Sequence, residues 1–193
     1  MTEPRPVLIL VVCAAPPAAK IQELAELLTS TGWDVYPVLT EAAIAWVDQD
    51  ALEKSTRHAV KSQPRSPQEP KSLPRADAIL VAPATFNTIN QWAVGINDTV
   101  VLGILNEALG TGTRVVVSPY AKSALAAHPA FRSNLDMLAG AGVRFTAAEA
   151  LRPADSDAPF NWSCILELLN GISVTARTAA DSHASEDGRG GGT

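Results

Sequence analysis

The 193-residue sequence lacks features that mark several protein classes. It has only two cysteines, so neither a disulfide framework nor a cysteine-based metal site is predicted. Charged residues make up 18% of the chain, the formal net charge is -5, and no basic stripe stands out, which argues against nucleic-acid binding. No apolar run approaches the roughly 18 residues of a membrane span. Because 47% of the residues are apolar, the composition predicts a folded protein with a sizeable core.

Motifs for common chemistries are also missing. There is no Gly-x-Gly-x-x-Gly or Walker sequence and no defensible Ser-His-Asp arrangement, and three histidines with two cysteines give no metal-ligand spacing. The apolar residues 6–15 are too short for a signal peptide and are followed by Pro16 and Pro17, so a first core strand and a soluble cytoplasmic protein are expected. Residues 1–172 are predicted to form a single domain, and residues 173–193, which lack an apolar face, a disordered tail.

Residues 76–109 are the stretch around which the chain is organised. Residues 78–82 form an apolar run short enough for a buried strand, which is expected to stop at Pro83 because proline cannot donate to a sheet ladder. Small and hydroxylated residues follow, and Ile89 and Trp92 then begin a helical pattern. A polar turn between a strand and a helix is where open α/β sheets hold ligands.

The same alternation runs through most of the chain. Aliphatic runs at residues 7–12, 34–39, 113–117 and 143–145 are predicted strands, and helical patterns lie between them. This order predicts an α/β protein, a three-layer Rossmann-like (flavodoxin-like) parallel sheet with helices on both faces. Because the carboxyl ends of parallel strands share one edge, the sequence predicts a nucleotide-type or anionic ligand there.

Three segments resemble the flavin-containing cysteine decarboxylases, the family of phosphopantothenoylcysteine decarboxylase and of the decarboxylases of peptide C-terminal cysteines. Residues 83–88, Pro-Ala-Thr-Phe-Asn-Thr, resemble the family's Pro-Ala-Ser-Ala-Asn-Thr box. Residues 95–98, Gly-Ile-Asn-Asp, resemble the Gly-Ile-Ala-Asp that follows it. Residues 40–46, which begin Thr-Glu-Ala-Ala, resemble Thr-Glu-Ala-Ala-x-x-Phe, with Trp46 in place of Phe.

The resemblance implies FMN bound between subunits of a homo-oligomer, a trimer or a dodecamer built from trimers. It places Asn87 near the reactive edge of the flavin and the substrate, whereas without the resemblance a helix cap is the expected role of this asparagine. Thr40 is expected either to contact the flavin phosphate or to cap a helix, and the turn at Ala14 either binds phosphate or simply joins a strand to a helix. The predicted cofactor-binding residues are Ala14, Ala15, Lys20, Thr40, Pro83, Ala84, Thr85, Thr88, Asp98 and Ser118.

The chain departs from the family pattern at three places. The position of the family's active-site histidine is taken by Glu69, which could act as a base, and His58 lies upstream as an alternative. The substrate-binding asparagine of the family is replaced by Lys122, a candidate for holding an anionic substrate group. Residues 155–163 stand where the family has a Gly- and Cys-containing lid. Asn87, Lys122, Glu69 and His58 are therefore the candidate catalytic residues.

Two hypotheses remain. The first is an FMN-dependent oxidative decarboxylase that acts on a small or peptide substrate ending in cysteine. The second, a rival with which the three departures are consistent, is a non-catalytic or regulatory FMN-binding protein. Cys13, within the first apolar run, is expected to be a small buried core residue.

Overall fold

Five parallel strands form one sheet in the order β2-β1-β3-β4-β5. The computed structural model describes residues 5–63, 73–155 and 158–170. The strands are β1 (Val7–Val12), β2 (Asp34–Leu39), β3 (Ala78–Ala84), β4 (Arg114–Pro119) and β5 (Arg144–Phe145). This arrangement confirms the predicted three-layer, flavodoxin-like architecture. The chain moves from β1 to β2 in one direction and returns past β1 to β3, so the strand order reverses between β1 and β3.

Helices connect the strands on both faces of the sheet. The α-helices are α1 (Ile21–Ser30), α2 (Gln49–Thr56), α3 (Phe86–Ala93), α4 (Val100–Thr111), α5 (Ser123–Ala126), α6 (Pro129–Gly140) and α7 (Ser163–Asn170). Two 3-10 helices, Pro16–Lys20 and Glu41–Trp46, follow β1 and β2 directly.

Alternate residues of β1 face opposite core layers. Leu8, Leu10 and Val12 pack in the layer that contains buried residues of α1, α2 and α7. Ile9, Val11 and Cys13 pack in the layer formed with α3, α4 and α6. Because the strand is buried on both faces, its sequence is continuously apolar instead of alternating. The side chain of Cys13 is thereby directed toward the face that α3 covers.

The prediction that the central strand, β3, stops at Pro83 is wrong. β3 continues through Pro83 to Ala84, and its pairing with β4 shifts register between Val81 and Ala84. Pro83 has no N–H, but its carbonyl accepts a hydrogen bond from the backbone N–H of Cys13 at 3.1 Å. The carbonyl alone therefore keeps the proline in the sheet.

Asn97 and Asp98 are the residues that the sequence predicts as the cap of α4, and the observed cap lies one residue further on. Asn97 and Asp98 precede the helix, but Thr99 is the N-cap, and its side chain accepts a hydrogen bond from Leu102 N at 3.2 Å. Any of these three residue types can cap a helix, so composition alone does not select among them.

Parts of the sequence-based interpretation fall outside the described residues. These are most of the Pro-rich loop 62–74, including Glu69, and the tail 173–193. Within residues 5–63, 73–155 and 158–170, no helix has the length and apolar character that crossing a bilayer requires. In the same part of the chain, no cluster of His, Cys, Asp or Glu could hold a metal ion.

Candidate functional site

Backbone hydrogen bonds connect the carboxyl ends of β1, β2, β3 and β4 along one edge of the sheet. Cys13 N donates to Pro83 O at 3.1 Å, which joins the turns after β1 and β3. Thr40 N donates to Val12 O at 2.9 Å and Tyr120 N to Ala84 O at 2.8 Å, which adds the ends of β2 and β4. We call this edge the carboxyl rim, and it contains the reversal point between β1 and β3 at which open α/β sheets hold their ligands.

The turn after β1 presents backbone more than side chain. Ala14 is half-buried and Ala15 is buried, and Ala15 is the N-cap of the 3-10 helix Pro16–Lys20 without a side-chain hydrogen bond to cap it. Lys20, the last residue of that helix, is exposed. Pro16 and Pro17, the first two residues of the helix, have no N–H, and Ala18 N donates to Ala15 O at 2.8 Å, so the start of this helix offers a ligand no N–H group.

The Thr40 hydroxyl is not engaged in capping the helix that follows it. It is the N-cap residue of the 3-10 helix Glu41–Trp46, yet its side chain makes no cap hydrogen bond to the helix. Its backbone is bonded on both sides, because its N–H donates to Val12 O and its carbonyl accepts from Ala43 N at 2.9 Å. The capping alternative for the Thr40 side chain is therefore wrong, and the half-buried hydroxyl remains available at the rim.

Thr85, not Asn87, caps the helix after β3. Thr85 Oγ1 accepts from Thr88 N at 3.5 Å, and α3 begins at Phe86. Asn87 lies in the first turn of α3 and is exposed, so the alternative that it caps the helix is wrong. Thr88 is 7% exposed, and its hydroxyl lies 3.1 Å from Thr85 Oγ1 and 3.3 Å from Cys13 Sγ. The turn therefore offers one half-buried hydroxyl and one exposed amide.

The other expected cofactor-binding residues differ in accessibility. Pro83 and Ala84 are buried in β3, so their contribution to the rim is backbone. Asp98 is exposed between α3 and α4. Ser118 is fully buried and accepts a hydrogen bond from Thr146 Oγ1 at 3.1 Å, so the structure does not bring its hydroxyl to the open surface of the rim.

The candidate catalytic residues are not all brought together. Lys122 is exposed beyond the end of β4, as the residue before α5. His58 lies elsewhere, because its Nε2 is 2.7 Å from Oδ1 of Asp34, the first residue of β2, and its ring stacks on Tyr36 with centroids 3.7 Å apart. Thr40 is at the opposite end of that strand, so the expectation that His58 joins the site conflicts with the fold. Glu69 lies outside the described residues.

Sequence reasoning missed Arg152. Its guanidinium carbon lies 4.4 Å from the ring centroid of Tyr120, the residue after β4, and its Nη2 donates to Ala121 O at 2.7 Å. It also forms an ion pair with Glu149. Arg152 and Tyr120 are 32 positions apart in the sequence, and no local pattern joins them. This arginine holds the backbone of the residue that precedes Lys122.

The comparisons with known proteins agree with this geometry. The family model described as Flavoprotein matches residues 1–166, which is most of the chain. The chain belongs to the flavoprotein family. A flavin is therefore the class of cofactor that the family implies.

Two curated relatives are longer than this flavoprotein. The coenzyme A biosynthesis bifunctional protein CoaBC of Thermococcus kodakarensis is 32% identical over 133 residues, which are 66% of this chain and 33% of that protein. CoaBC of Bacillus subtilis is 30% identical over 117 residues, 58% of this chain and 28% of that protein. The chain spans about a third of the length of these relatives.

Solved structures share the fold of this flavoprotein. The FMN-dependent cysteine decarboxylase TvaF from thioviridamide biosynthesis superimposes with a TM-score of 0.65 at 24% identity, over 75% of this chain and 91% of that one. A PPC decarboxylase mutant complexed with pantothenoylaminoethenethiol gives a TM-score of 0.70 at 19% identity, over 86% and 97%. The peptidyl-cysteine decarboxylase EpiD gives 0.68 at 18% identity, over 86% and 99%.

The rim residues suit a phosphorylated flavin. Such a ligand carries anionic phosphate oxygens and carbonyl acceptors, and the flavoprotein offers two hydroxyl donors, those of Thr40 and of Thr85 at the start of α3. The small side chain of Ala14, which is half-buried, leaves the backbone there open to close approach. The donor set therefore fits the cofactor class that the family requires.

Proposed function

We propose that this flavoprotein binds FMN along the carboxyl rim, across the ends of β1, β2 and β3. The observation that carries the proposal is the Thr40 hydroxyl, which makes no cap bond at the one edge where open α/β sheets hold nucleotides. The phosphate would lie against Thr40 and the turn that follows β1. The isoalloxazine would lie beside Thr85 and Asn87.

The reaction class that this site supports best is oxidative decarboxylation of a small or peptide substrate that ends in cysteine. FMN, when bound, supplies the two-electron acceptor. The chain would bind and orient the substrate, with the exposed Asn87 amide donating and accepting hydrogen bonds beside the flavin. Lys122, held near Arg152, would attract the substrate carboxylate. Glu69 remains a candidate base.

The proposal includes a homo-oligomer, which is either a trimer or a dodecamer built from trimers. The segment between α3 and α4 exposes two large apolar residues, Val94 at 66% and Ile96 at 38%, next to Asn97 and Asp98. An apolar segment beside a candidate cofactor residue supports a subunit contact there. Light scattering of the purified protein would test it, and a monomer at micromolar concentration would contradict it.

The experiment that tests cofactor binding is an absorbance spectrum of the protein as purified, followed by titration of the colourless fraction with FMN. A bound flavin gives a yellow protein with visible absorption, and added FMN fluorescence is quenched with a stoichiometry of one per chain. A protein that is colourless and takes up no FMN would remove the proposal.

A second candidate is a non-catalytic FMN binder, and the placement of the histidines favours it. Within the described part of the chain, His58 pairs with Asp34 at the amino end of β2, and His128 caps α6 by accepting from Ala130 N at 3.1 Å. Neither is positioned as the family's active-site histidine. Cysteine-ended peptides added to the holoprotein without oxygen separate the two candidates. Flavin bleaching, with peptide mass reduced by one formic-acid equivalent, indicates the enzyme, whereas an unchanged flavin and peptide indicate the binder.

A further inference from the structure

A chain of three side chains connects the core to the rim at the reversal point. Cys13, the residue after β1, is 1% exposed, and its thiol donates to Thr88 Oγ1 at 3.3 Å. Thr88 Oγ1 in turn lies 3.1 Å from Thr85 Oγ1. These residues come from two different turns, 75 positions apart at the thiol contact. The fold therefore places a buried thiol directly behind the capping threonine of α3.

The number of protons available fixes which group donates and which accepts in each of these hydrogen bonds. A hydroxyl has one proton to donate and two lone pairs with which to accept. Thr88 Oγ1 accepts the Cys13 proton and is buried, so its own proton needs an acceptor, and Thr85 Oγ1 is the oxygen at hydrogen-bond distance. Thr85 Oγ1 also accepts from Thr88 N at 3.5 Å. With both of its lone pairs engaged, Thr85 has only its proton left to offer.

The thiol is suited to the donor end of this chain. Burial raises the pKa of the Cys13 thiol above its ordinary value, and the polar groups of Thr88 and Thr85 beside it only partly oppose that rise. The thiol is therefore protonated at neutral pH and keeps its proton available for Thr88. Thr85, by contrast, is half-buried, so its remaining proton can reach a ligand at the rim.

We propose that Cys13 is a positioning residue that acts through Thr88 to hold the Thr85 hydroxyl as an obligatory donor toward an acceptor oxygen of the cofactor. The inference rests on the proposed function, because the acceptor is a phosphate or ring carbonyl oxygen of FMN. It assigns a role in ligand binding to a residue that never touches the ligand. It also makes the site selective for acceptors at Thr85, since a donor group there would face a second donor.

The test compares FMN dissociation constants, from fluorescence quenching, for Cys13→Ala and Cys13→Ser. Without the thiol, nothing fixes which hydroxyl of the Thr88–Thr85 pair is the donor. The FMN affinity of Cys13→Ala is therefore expected to fall about five- to tenfold, the value of one hydrogen bond. Serine can donate the same bond, so Cys13→Ser binds within about twofold of the parent. The control is Cys164→Ala, which removes the half-buried thiol of α7 and leaves FMN affinity unchanged. Equal affinity of the parent and Cys13→Ala overturns the inference.

Two further variants separate positioning from packing. Thr88→Val keeps the shape of the side chain but removes the hydroxyl that links the other two residues, and it weakens FMN binding at least as much as Cys13→Ala. In a Thr85→Val background, Cys13→Ala has no further effect, because the thiol acts only through that hydroxyl. Additive losses, or a Cys13→Ser variant as weak as Cys13→Ala, would assign the effect to packing.

The same measurements keep this inference distinct from the proposed function. A parent protein that takes up no FMN overturns both. A parent that binds FMN, together with a Thr88→Val variant of equal affinity, overturns only the hydrogen-bond chain. Thermal unfolding of each variant confirms that the affinities compare folded proteins.

Discussion

At the amino end of the sheet, charged side chains bind the fold's own groups, whereas at the carboxyl rim short hydroxyls are left for a ligand. Asp77 Oδ2 accepts from Val7 N at 2.7 Å, and Asp34 pairs with His58 at 2.7 Å. At the rim, the Thr40 side chain makes no cap bond, and in the proposed hydrogen-bond chain Thr85 has a proton to offer. Polar residues at the amino end thus contribute to stability, and those at the rim are available for binding.

The largest expected effect is at the amino end. Asp77→Ala leaves the part-buried N–H of Val7 without its carboxylate and is expected to lower the free energy of unfolding by about 1.5–3 kcal/mol. The FMN dissociation constant of the folded variant is expected to match that of the parent, since this end lies away from the rim. Urea unfolding and FMN titration provide the two measurements. Asp77→Asn retains an acceptor and is the control, and a loss of FMN affinity in Asp77→Ala would break the comparison.

A matched pair of threonines gives the next effect. Thr40→Val is expected to weaken FMN binding about tenfold, or about 1.4 kcal/mol, without lowering stability, because the hydroxyl makes no cap bond. Thr99→Val removes the cap of α4 and is expected to cost about 1 kcal/mol of stability with FMN binding unchanged. Fluorescence titration and urea unfolding of both variants test the contrast. If the Thr40 and Thr99 variants behave alike, the two threonines do not have the separate roles assigned to them.

The third prediction concerns His58. His58→Gln breaks a pair in which both side chains are about one third exposed, so we expect a stability loss of at most about 1 kcal/mol. FMN affinity and any turnover of cysteine-ended peptides are expected to stay unchanged. Asn87→Ala is the comparison variant at the rim and is expected to impair turnover. Lost turnover in His58→Gln would place that histidine in the reaction despite its position at the amino end of β2.

The smallest expected effect is a dependence of folding stability on pH that arises from Cys13. Burial holds the pKa of Cys13 above 9.0 in the folded protein, so the unfolded chain loses that proton first as the pH rises. Folding stability is therefore fully present below about pH 9 and falls above it, by less than about 1 kcal/mol at half a pH unit higher. Urea unfolding from about pH 7 to about pH 10 measures the slope. Cys13→Ser lacks the titrating group, and an identical slope in that variant would show that other groups cause the decline.

The architecture could be predicted because it depends on local patterns. Continuous aliphatic runs such as Val7–Val12 can be buried only between two helical layers, and strands that alternate with helices form a parallel sheet. The polar turn at residues 83–88 likewise marked the rim. The pattern misplaced the end of β3, because the carbonyl of Pro83 can still bond to a neighbouring strand that the local sequence does not specify.

The site was less predictable at the level of single side chains. Thr40, Thr85 and Thr99 all precede helices, and any of them could cap one. In the structure, the side chains of Thr85 and Thr99 make a cap hydrogen bond, whereas that of Thr40 does not. Arg152 reaches Tyr120 across 32 positions, a contact without a local signal.

The sequence by itself determined the parallel sheet, the edge at which the ligand site is proposed and the turns that line it, since these follow from where apolar runs stop. The tertiary structure alone decided which polar groups at that edge are already engaged. A hydroxyl or thiol contributes to binding according to the partners within about 3 Å of it. For Cys13 and Thr88 that partnership depends on the packing of α3 against β1, which no stretch of sequence contains.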